Sequence, residues 1–306
     1  MEPQKITHFL YCPFTGLGLY GGFRGNRWLR NRIKIFTQFV LPSLLAQTSK
    51  NFTLWVSWRH EDRHNPYVQR FKEFLETVTD FKTVFTYSGV CFWDDKYPDD
   101  IARARLAEAV HGSLADLFDP IGVVDYVLMT IQPSDDCYHK EMVEQIQSAF
   151  DKMPEIQVLG FKRGYMMNYR TKELAEYDPN TIPPFFTIKF PTPSFIEPWK
   201  HIEYTGPYKS HEYIGDKLKF GTIEERGFIV GTHGENISTH FNHPFKGAVV
   251  DSSILNEFGL GDVEPLRLQI SLRKALMRKL PHNWQRKLRY IFGERFYSRV
   301  YNFLRS

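Results

Sequence analysis

The chain has 306 residues, which is enough for one large domain or two smaller ones. Hydrophobic residues make up 42% and charged residues 24%, values that exclude a disordered, collagen-like or disulfide-stapled chain. The three cysteines, Cys12, Cys91 and Cys137, form no CxxC pair. Their scatter argues against a disulfide framework or zinc knuckle and predicts a reducing compartment.

The charge is unevenly distributed along the chain. The net charge is +4, yet residues 266–306 hold eleven Lys and Arg against the single acid Glu294, which leaves −6 for the remainder. A basic segment on an acidic body predicts an anionic partner surface. No apolar run reaches the roughly 18 residues that span a bilayer, and the first residues lack the pattern of a secretory signal. We therefore expect a cytoplasmic protein.

Strands and helices alternate through the first half. In chain order the patterns predict strand 6–11, helix 29–47 interrupted at Pro42, strand 51–58, helix 66–79, strand 83–87, helix 99–117, strand 123–130 and helix 138–152. This order predicts a parallel sheet with right-handed crossovers.

After Pro154 the pattern changes to shorter pieces. Strands are predicted at 156–162, 165–169, 185–190 and 227–232, with a short helical piece at 210–219. Mixed strands after a parallel half predict an antiparallel extension of the same sheet.

Two adjacent acids, Asp135 and Asp136, follow the apolar strand 123–130. Ligands of open α/β sheets bind beyond the carboxyl ends of strands, where paired acids can hold a divalent cation against a phosphate. The same position also suits helix capping, with Ser134 or Asp135 at the start of the next helix. Both interpretations remain open at this point.

Three further groups are candidates for chemistry. His233, in a glycine-flanked loop after a predicted strand, is either a metal ligand or an ordinary surface residue. Arg103 and Arg105 either contact a diphosphate or form surface salt bridges. Glu212 and Asp216 either deprotonate an acceptor hydroxyl or stabilise the start of a short helix.

Several segments together resemble the "putative rhamnosyltransferase" family of nucleotide-sugar-dependent glycosyltransferases. The resemblance rests on RIKIF (32–36), VLPSLLAQT (40–48), NFTLWV (51–56), Asp135-Asp136, and His233-Gly234-Glu235-Asn236-Ile237-Ser238, and it spans about residues 30–247. The family's acidic motif is Asp-x-Asp-Asp, and Pro133 replaces its first acid here. Tyr11-Cys12-Pro13-Phe14 stands where the family has Arg-Phe.

The resemblance implies a GT-A-like (Rossmann-like) α/β fold. Its mostly parallel sheet with an antiparallel extension would occupy a glycosyltransferase domain at 1–250, followed by a basic helical extension at 251–306. The implied reaction moves a sugar, rhamnose or another hexose, from a nucleoside diphosphate to a glycan or lipid-linked acceptor with inversion, assisted by Mn²⁺ or Mg²⁺. The implied roles are metal binding by Asp135, Asp136 and His233, nucleotide-sugar binding by Arg103, Arg105 and Asp135, and base catalysis by Glu212 or Asp216.

A different class of function competes with this one. Pro133 and the basic tail also fit a catalytically inactive relative that binds glycans or a membrane surface. The tail's apolar residues recur at near-helical steps, so its helices would either pack on the catalytic domain or lie on the inner face of an anionic membrane. A nucleic-acid partner is not expected, because the body is acidic and contains no nucleic-acid motif.

Overall fold

The computed structural model describes residues 5–15, 25–87, 123–180, 183–197, 211–234, 236, 241 and 245–268. The predicted helix 99–117, with Arg103 and Arg105, and the tail beyond residue 268 lie outside the described residues. Ten described strands form one sheet. They are β1 (Ile6–Pro13), β2 (Thr53–Ser57), β3 (Lys82–Thr86), β4 (Tyr126–Ile131), β5 (Cys137–Tyr138), β6 (Val158–Asn168), β7 (Leu174–Tyr177), β8 (Phe186–Pro191), β9 (Phe220–Thr232) and β10 (Lys246–Val249).

Helical segments cover both faces of this sheet. They are α1 (Asn26–Ile35), a π-helical turn (Phe36–Val40), α2 (Leu41–Leu45), a 3₁₀ turn (His60–Asp62), α3 (Pro66–Val78), α4 (Met142–Lys152), α5 (Thr192–Ile196), and 3₁₀ segments at His211–Asp216 and Ser252–Phe258. None of the helices in the described ranges is long and apolar enough to cross a membrane.

The sheet has the order β10-β7-β6-β8-β4-β1-β2-β3, with β9 paired to β6 and β5. The four strands β4, β1, β2 and β3 run parallel to one another. From β8 onward the pairings are antiparallel, except that β9 runs parallel to β6. The mixed α/β fold, with a parallel half and an antiparallel extension, is therefore confirmed.

The central strands are buried on both faces, as expected for parallel strands covered by helices. Successive side chains of a strand point to opposite faces. In β1, Leu10 and Cys12 join the core cluster that includes residues of α1 to α4, whereas Phe9 and Tyr11 join a second cluster with Phe195 and Ile214. The sequence of β1 thus supplies apolar side chains to two cores at once.

The first helix changes its hydrogen-bonding pattern directly before Pro42. Pro42 has no backbone N–H, so it cannot complete the regular bond to the preceding turn. The π-helical turn Phe36–Val40 lies directly before this position and connects α1 to α2 without a break in the chain direction. The helical stretch continues through Pro42 to Leu45, so the structure has a π-helical turn before Pro42 where the sequence predicted an interruption at that residue.

The second half differs in detail from the prediction. The two strands predicted at 156–162 and 165–169 are one strand, β6, whose register shifts near Arg163. The helix predicted from residue 138 begins at Met142, because Cys137 and Tyr138 pair with β9 instead. The pattern of apolar residues along the sequence indicates neither the continuity of β6 nor the pairing of β5 with β9.

The described residues beyond 250 pack against the body. Leu255, Phe258 and Leu266 are buried in a third cluster with Phe39 and Tyr169. The Leu266 N–H also donates to the Tyr169 carbonyl oxygen at 2.7 Å. The division into domains at residue 250 remains a prediction.

Candidate functional site

The candidate site lies at the carboxyl end of β4, where the chain leaves the sheet through residues 132–136. The backbone N–H of Gln132 donates to the Tyr11 carbonyl at 2.8 Å, which holds this exit beside the end of β1. The Gln132 side chain donates to the Asp136 carbonyl at 2.9 Å. These contacts turn the chain so that Asp135 and Asp136 follow the strand end directly.

Asp135 is the centre of a three-residue cluster. Its Oδ2 lies 2.5 Å from Nη1 of Arg32 and 3.0 Å from Nε2 of His233. The side chains of Arg32 and His233 are 3% and 0% exposed, whereas that of Asp135 is 17% exposed. The carboxylate is therefore the part of the cluster that solvent or a ligand reaches.

Arg32 reaches this cluster because of its place on α1. Trp28 and Leu29 on the first turn and Ile35 on the last are buried, and Arg32 lies on the same buried side of the helix. Its guanidinium carbon lies 5.5 Å from the centre of the Trp28 ring, a cation–π distance. The indole thus supports the guanidinium while it faces Asp135.

His233 is oriented by the loop that follows β9. Asn236 accepts a hydrogen bond from the His233 N–H at 2.8 Å and donates through Nδ2 to the Gly231 carbonyl at 2.6 Å. Gly234 has φ +80°, a left-handed conformation that favours glycine. The pattern His-Gly-x-Asn is therefore a turn that aims the imidazole at Asp135.

Asp136 and Gly231 join β9 to the end of β4. The Gly231 N–H donates to Oδ1 of Asp136 at 2.8 Å. A Cβ on Gly231 would collide with the Asp135 carbonyl oxygen and the Tyr169 ring. Only glycine allows the two segments to approach this closely.

Tyr169 holds the backbone of the cluster at Asp135. Its hydroxyl donates to the Asp135 carbonyl at 2.8 Å and lies 3.4 Å from Sγ of Cys137. Its ring stacks on Phe39 with centroids 3.7 Å apart. The backbone of Asp135 is thus held by a fully buried aromatic side chain.

The pKa values of the two neighbouring acids are shifted in opposite directions. Burial would raise the pKa of the Asp135 carboxyl, but Arg32 and His233 outweigh it and hold that pKa below its usual range. Burial, with the adjacent charge of Asp135, raises the pKa of Asp136 well above its usual value. Asp135 is therefore the charged acid of the pair.

The helix-capping interpretation of these acids is wrong. The helix begins at Met142 with Glu141 at its N-cap position, so neither Ser134 nor Asp135 caps it. Their neighbours are strands: β4 before them and β5 after them.

A divalent cation fits two of the three predicted ligands. Carboxylate oxygen and imidazole nitrogen are ligands of divalent metals, and Mg²⁺ is commonly held by one or two carboxylates plus substrate phosphates and water. Asp135 and His233 present such atoms side by side, whereas Oδ1 of Asp136 is engaged by Gly231. Within the described ranges, no three His, Cys, Asp or Glu side chains form a metal-binding group.

The other predicted site residues are not brought to this cluster by any described contact. Glu212 and Asp216 are exposed on the 3₁₀ segment His211–Asp216, whose Ile214 is buried in the second core cluster. Arg103 and Arg105 lie outside the described residues.

Sequence reasoning missed four residues that build the site. Arg32 and Asn236 lie within the segments that carry the family resemblance, so a signal was present without a role attached to it. Gly231 and Tyr169 gave no such signal. Their roles depend on the approach of β9 to β4 and on the stacking with Phe39, which are not local properties.

Residues 24–90 match a family model described as "Putative rhamnosyl transferase". No curated protein matches the chain. Among solved structures, S. aureus TarS 1-349 is 16% identical with a TM-score of 0.40, over 74% of this chain and 60% of that chain. Mouse xyloside xylosyltransferase 1 is 10% identical with a TM-score of 0.36, over 71% and 85% of the two chains. This chain thus spans 60% of the TarS 1-349 chain and 37% of the longer TarS chain.

The matched segment includes a helix that contributes a side chain to the Asp135 cluster. It contains α1, the π-helical turn and β2, and so includes the helix that carries Arg32 to Asp135. The match supports a transferase. Over residues 24–90 the chain has the sequence pattern of the "Putative rhamnosyl transferase" family, and the resemblance expected from residues 32–56 is confirmed.

Proposed function

We propose that the protein is a glycosyltransferase that moves a sugar from a nucleoside diphosphate donor to an acceptor hydroxyl. The observation that carries this proposal is the meeting of Asp135 and His233, which are 98 residues apart in the chain and 3.0 Å apart at the carboxyl end of β4. Donor sites of open α/β sheets lie at such strand ends. The family match over residues 24–90 supports the same class of reaction.

The charges of the cluster suit a diphosphate leaving group. Asp135 and His233 would hold a divalent cation, which when bound supplies positive charge against the departing phosphates. Arg32 is a buried, permanent positive charge within the same cluster. Tyr169 and Asn236 hold the Asp135 backbone and the His233 loop, so Asp135 and His233 need little rearrangement when the donor binds.

Glu212 or Asp216 is proposed as the base that takes the acceptor proton, in a single displacement with inversion. Both carboxylates are exposed, so an acceptor in solution can reach them. Glu212→Gln and Asp216→Asn should be tested separately. The variant of the true base should lose about 10²-fold or more in turnover with donor binding preserved, and near-normal rates in both variants would exclude this segment.

The finer features of the reaction are proposed from the sequence. The donor sugar would be rhamnose or another hexose, the acceptor a glycan or lipid-linked molecule, and residues 266–306 would hold the protein at an anionic membrane. Sedimentation with vesicles rich in anionic lipid, reversed by high salt, tests the membrane contact. A full chain that stays in the supernatant at low salt would contradict it.

Donor binding tests the proposed function most directly. UDP, dTDP and GDP should be screened by thermal shift with and without Mn²⁺. A ligand at 100 times its Kd stabilises the folded state by about 2.7 kcal/mol, so one nucleotide should raise the melting temperature clearly. If none of the three does so under either condition, the proposal fails.

A matched pair of variants assigns any shift to the site. Asp135→Asn removes the carboxylate at the carboxyl end of β4 and should abolish the shift. Asp125→Asn makes the same change at the other end of the strand, where the carboxylate is exposed and accepts from the Lys5 N–H at 3.0 Å. This control should keep the full shift, and an equal loss in both variants would place the binding elsewhere.

A further inference from the structure

Two groups compete for one oxygen atom in the cluster. Arg32 and His233 both contact Oδ2 of Asp135, at 2.5 and 3.0 Å. A divalent cation bound between this oxygen and His233 would share the oxygen with the guanidinium. Two cations at one oxygen repel each other strongly in a buried environment.

We propose that Arg32 is the counter-ion of Asp135 in the free protein and becomes a diphosphate-binding residue when donor and cation bind together. The inference rests on the proposed function and adds a residue role to it. Arg32 transfers its ion pair from the Asp135 carboxylate to the donor phosphates, so the guanidinium keeps an anionic partner in both states.

The surroundings of Arg32 favour an exchange of partners over simple release. The side chain is 3% exposed, and removing one partner from a buried ion pair is strongly destabilising. The neighbouring acid Asp136 is engaged with the Gly231 N–H and does not offer an equivalent contact. A phosphate can accept two parallel hydrogen bonds from a guanidinium, which makes it a suitable replacement for a carboxylate.

The contacts that hold the Arg32 side chain on α1 allow its guanidinium to move a short distance. Its stem is anchored on α1, and the Trp28 ring lies beneath the guanidinium at 5.5 Å. Asp135 is the most exposed side chain of the cluster, and the Arg32 guanidinium already contacts its carboxylate. The exchange needs a side-chain rotation and no change in the helix.

Titration calorimetry of Arg32→Gln with two probes tests this inference. Mn²⁺ alone should bind about tenfold more tightly than to the wild type, because Asp135 no longer has a competing cation. The nucleoside diphosphate that binds the wild type, added with Mn²⁺, should bind about tenfold more weakly, because the guanidinium is missing. A residue with a purely structural role would move both affinities in the same direction.

Arg30→Gln is the matched control on the same helix. Arg30 is exposed and lies over the Tyr67 ring at 5.5 Å, away from Asp135. Both affinities should stay at the wild-type values. If Arg32→Gln melts early, Arg32→Lys decides: it keeps the charge but not the planar fork, so Mn²⁺ affinity should stay near wild type while nucleotide affinity falls.

The outcomes separate this inference from the proposed function. If the wild type binds none of the nucleoside diphosphates, the proposed function fails and the inference fails with it. If the wild type binds one and Arg32→Gln binds it equally well, only the inference is overturned. Unchanged Mn²⁺ affinity in a folded Arg32→Gln variant also overturns it.

Discussion

Asp136 and Gly231 are joined by a hydrogen bond of 2.8 Å across 95 residues of sequence. The carboxylate accepts and the backbone N–H donates, so the end of β9 is tied to the chain that leaves β4. His233 follows Gly231 by two residues, and Asp135 precedes Asp136. One structural bond therefore sets the distance between the two residues proposed to bind the cation.

Replacing Asp136 separates its structural role from metal binding. Because the pKa of Asp136 is raised, an amide resembles its neutral form, and Asn can still accept from the Gly231 N–H. We expect Asp136→Asn to keep the wild-type stability, and Asp136→Ala to lose about 1–3 kcal/mol by leaving that N–H unpaired. Urea denaturation measures both. Equal losses in the two variants would contradict the structural role.

Gly231→Ala should damage both the fold and the site. The added methyl group meets the Asp135 carbonyl and the Tyr169 ring, neither of which is a flexible chain end. We expect a loss of about 1–3 kcal/mol and a weaker thermal shift with nucleotide. Gly221→Ala on the same strand is the control, because the nearest atoms to a Cβ there are ends of the Leu159 and Ile156 side chains, at 3.1 and 3.3 Å. A tolerant Gly231→Ala would exclude the close approach.

Asn236 should fix the orientation of the His233 side chain through its hydrogen bonds within the loop. Asn236→Ala removes the acceptor of the His233 N–H and the donor to the Gly231 carbonyl. Residues that orient metal ligands typically contribute about 10–100-fold to metal affinity, so Mn²⁺ binding should weaken by that order in calorimetry. Asn236→Asp keeps the acceptor only and should weaken it less. Unchanged affinity in Asn236→Ala would mean that the backbone alone fixes the loop.

Acid should destabilise the protein through His8. Burial lowers the pKa of His8 from 6.5 to about 3, and its Nε2 lies 2.7 Å from Thr130 Oγ1. The unfolded chain binds the proton more tightly, so stability is complete above pH 6.5 and falls as the pH drops toward 3. Between pH 7 and pH 5 the loss should be about 2 kcal/mol.

His8→Gln isolates this contribution. Glutamine does not titrate, and all other ionisable groups are shared with the wild type. The difference in unfolding free energy between wild type and variant, measured in urea at pH 5, 6 and 7, should therefore shrink as the pH falls. A constant difference would show that the pKa of His8 is the same in the folded and unfolded protein, and would contradict the lowered pKa.

Elements with local signals were predictable from the sequence. The α3 helix is an example: Asn65 accepts from the Tyr67 N–H at 2.9 Å as an N-cap, and Pro66 occupies the first turn. The β7 strand is the opposite case, because Leu174–Tyr177 (LAEY) contains residues that favour helices. Its strand conformation depends on pairing with β6 and β10, which local patterning does not report.

The site was predictable in the same limited sense. The position of Asp135 and Asp136 after an apolar strand indicated a ligand-binding edge, and the family resemblance indicated His233. The different roles of the two acids depend on Gly231, which β9 brings from the other half of the chain. The link between Arg32 and Asp135 likewise depends on how α1 packs, so the residue was quoted in a motif without a function.

Because Cys137 is buried beside the site, its rate of chemical modification measures how often the site opens. Burial raises the pKa of this thiol to about 12, and its Sγ donates to the Phe39 carbonyl at 3.4 Å. Alkylating reagents react with the thiolate, so modification of Cys137 requires a local opening that exposes its Sγ, which lies against Phe39 and Tyr169. The alkylation rate, divided by that of a free thiol, gives the fraction of molecules in which this region is open. Nucleotide binding should slow that rate, so this natural cysteine would report local opening of the site without an engineered probe position.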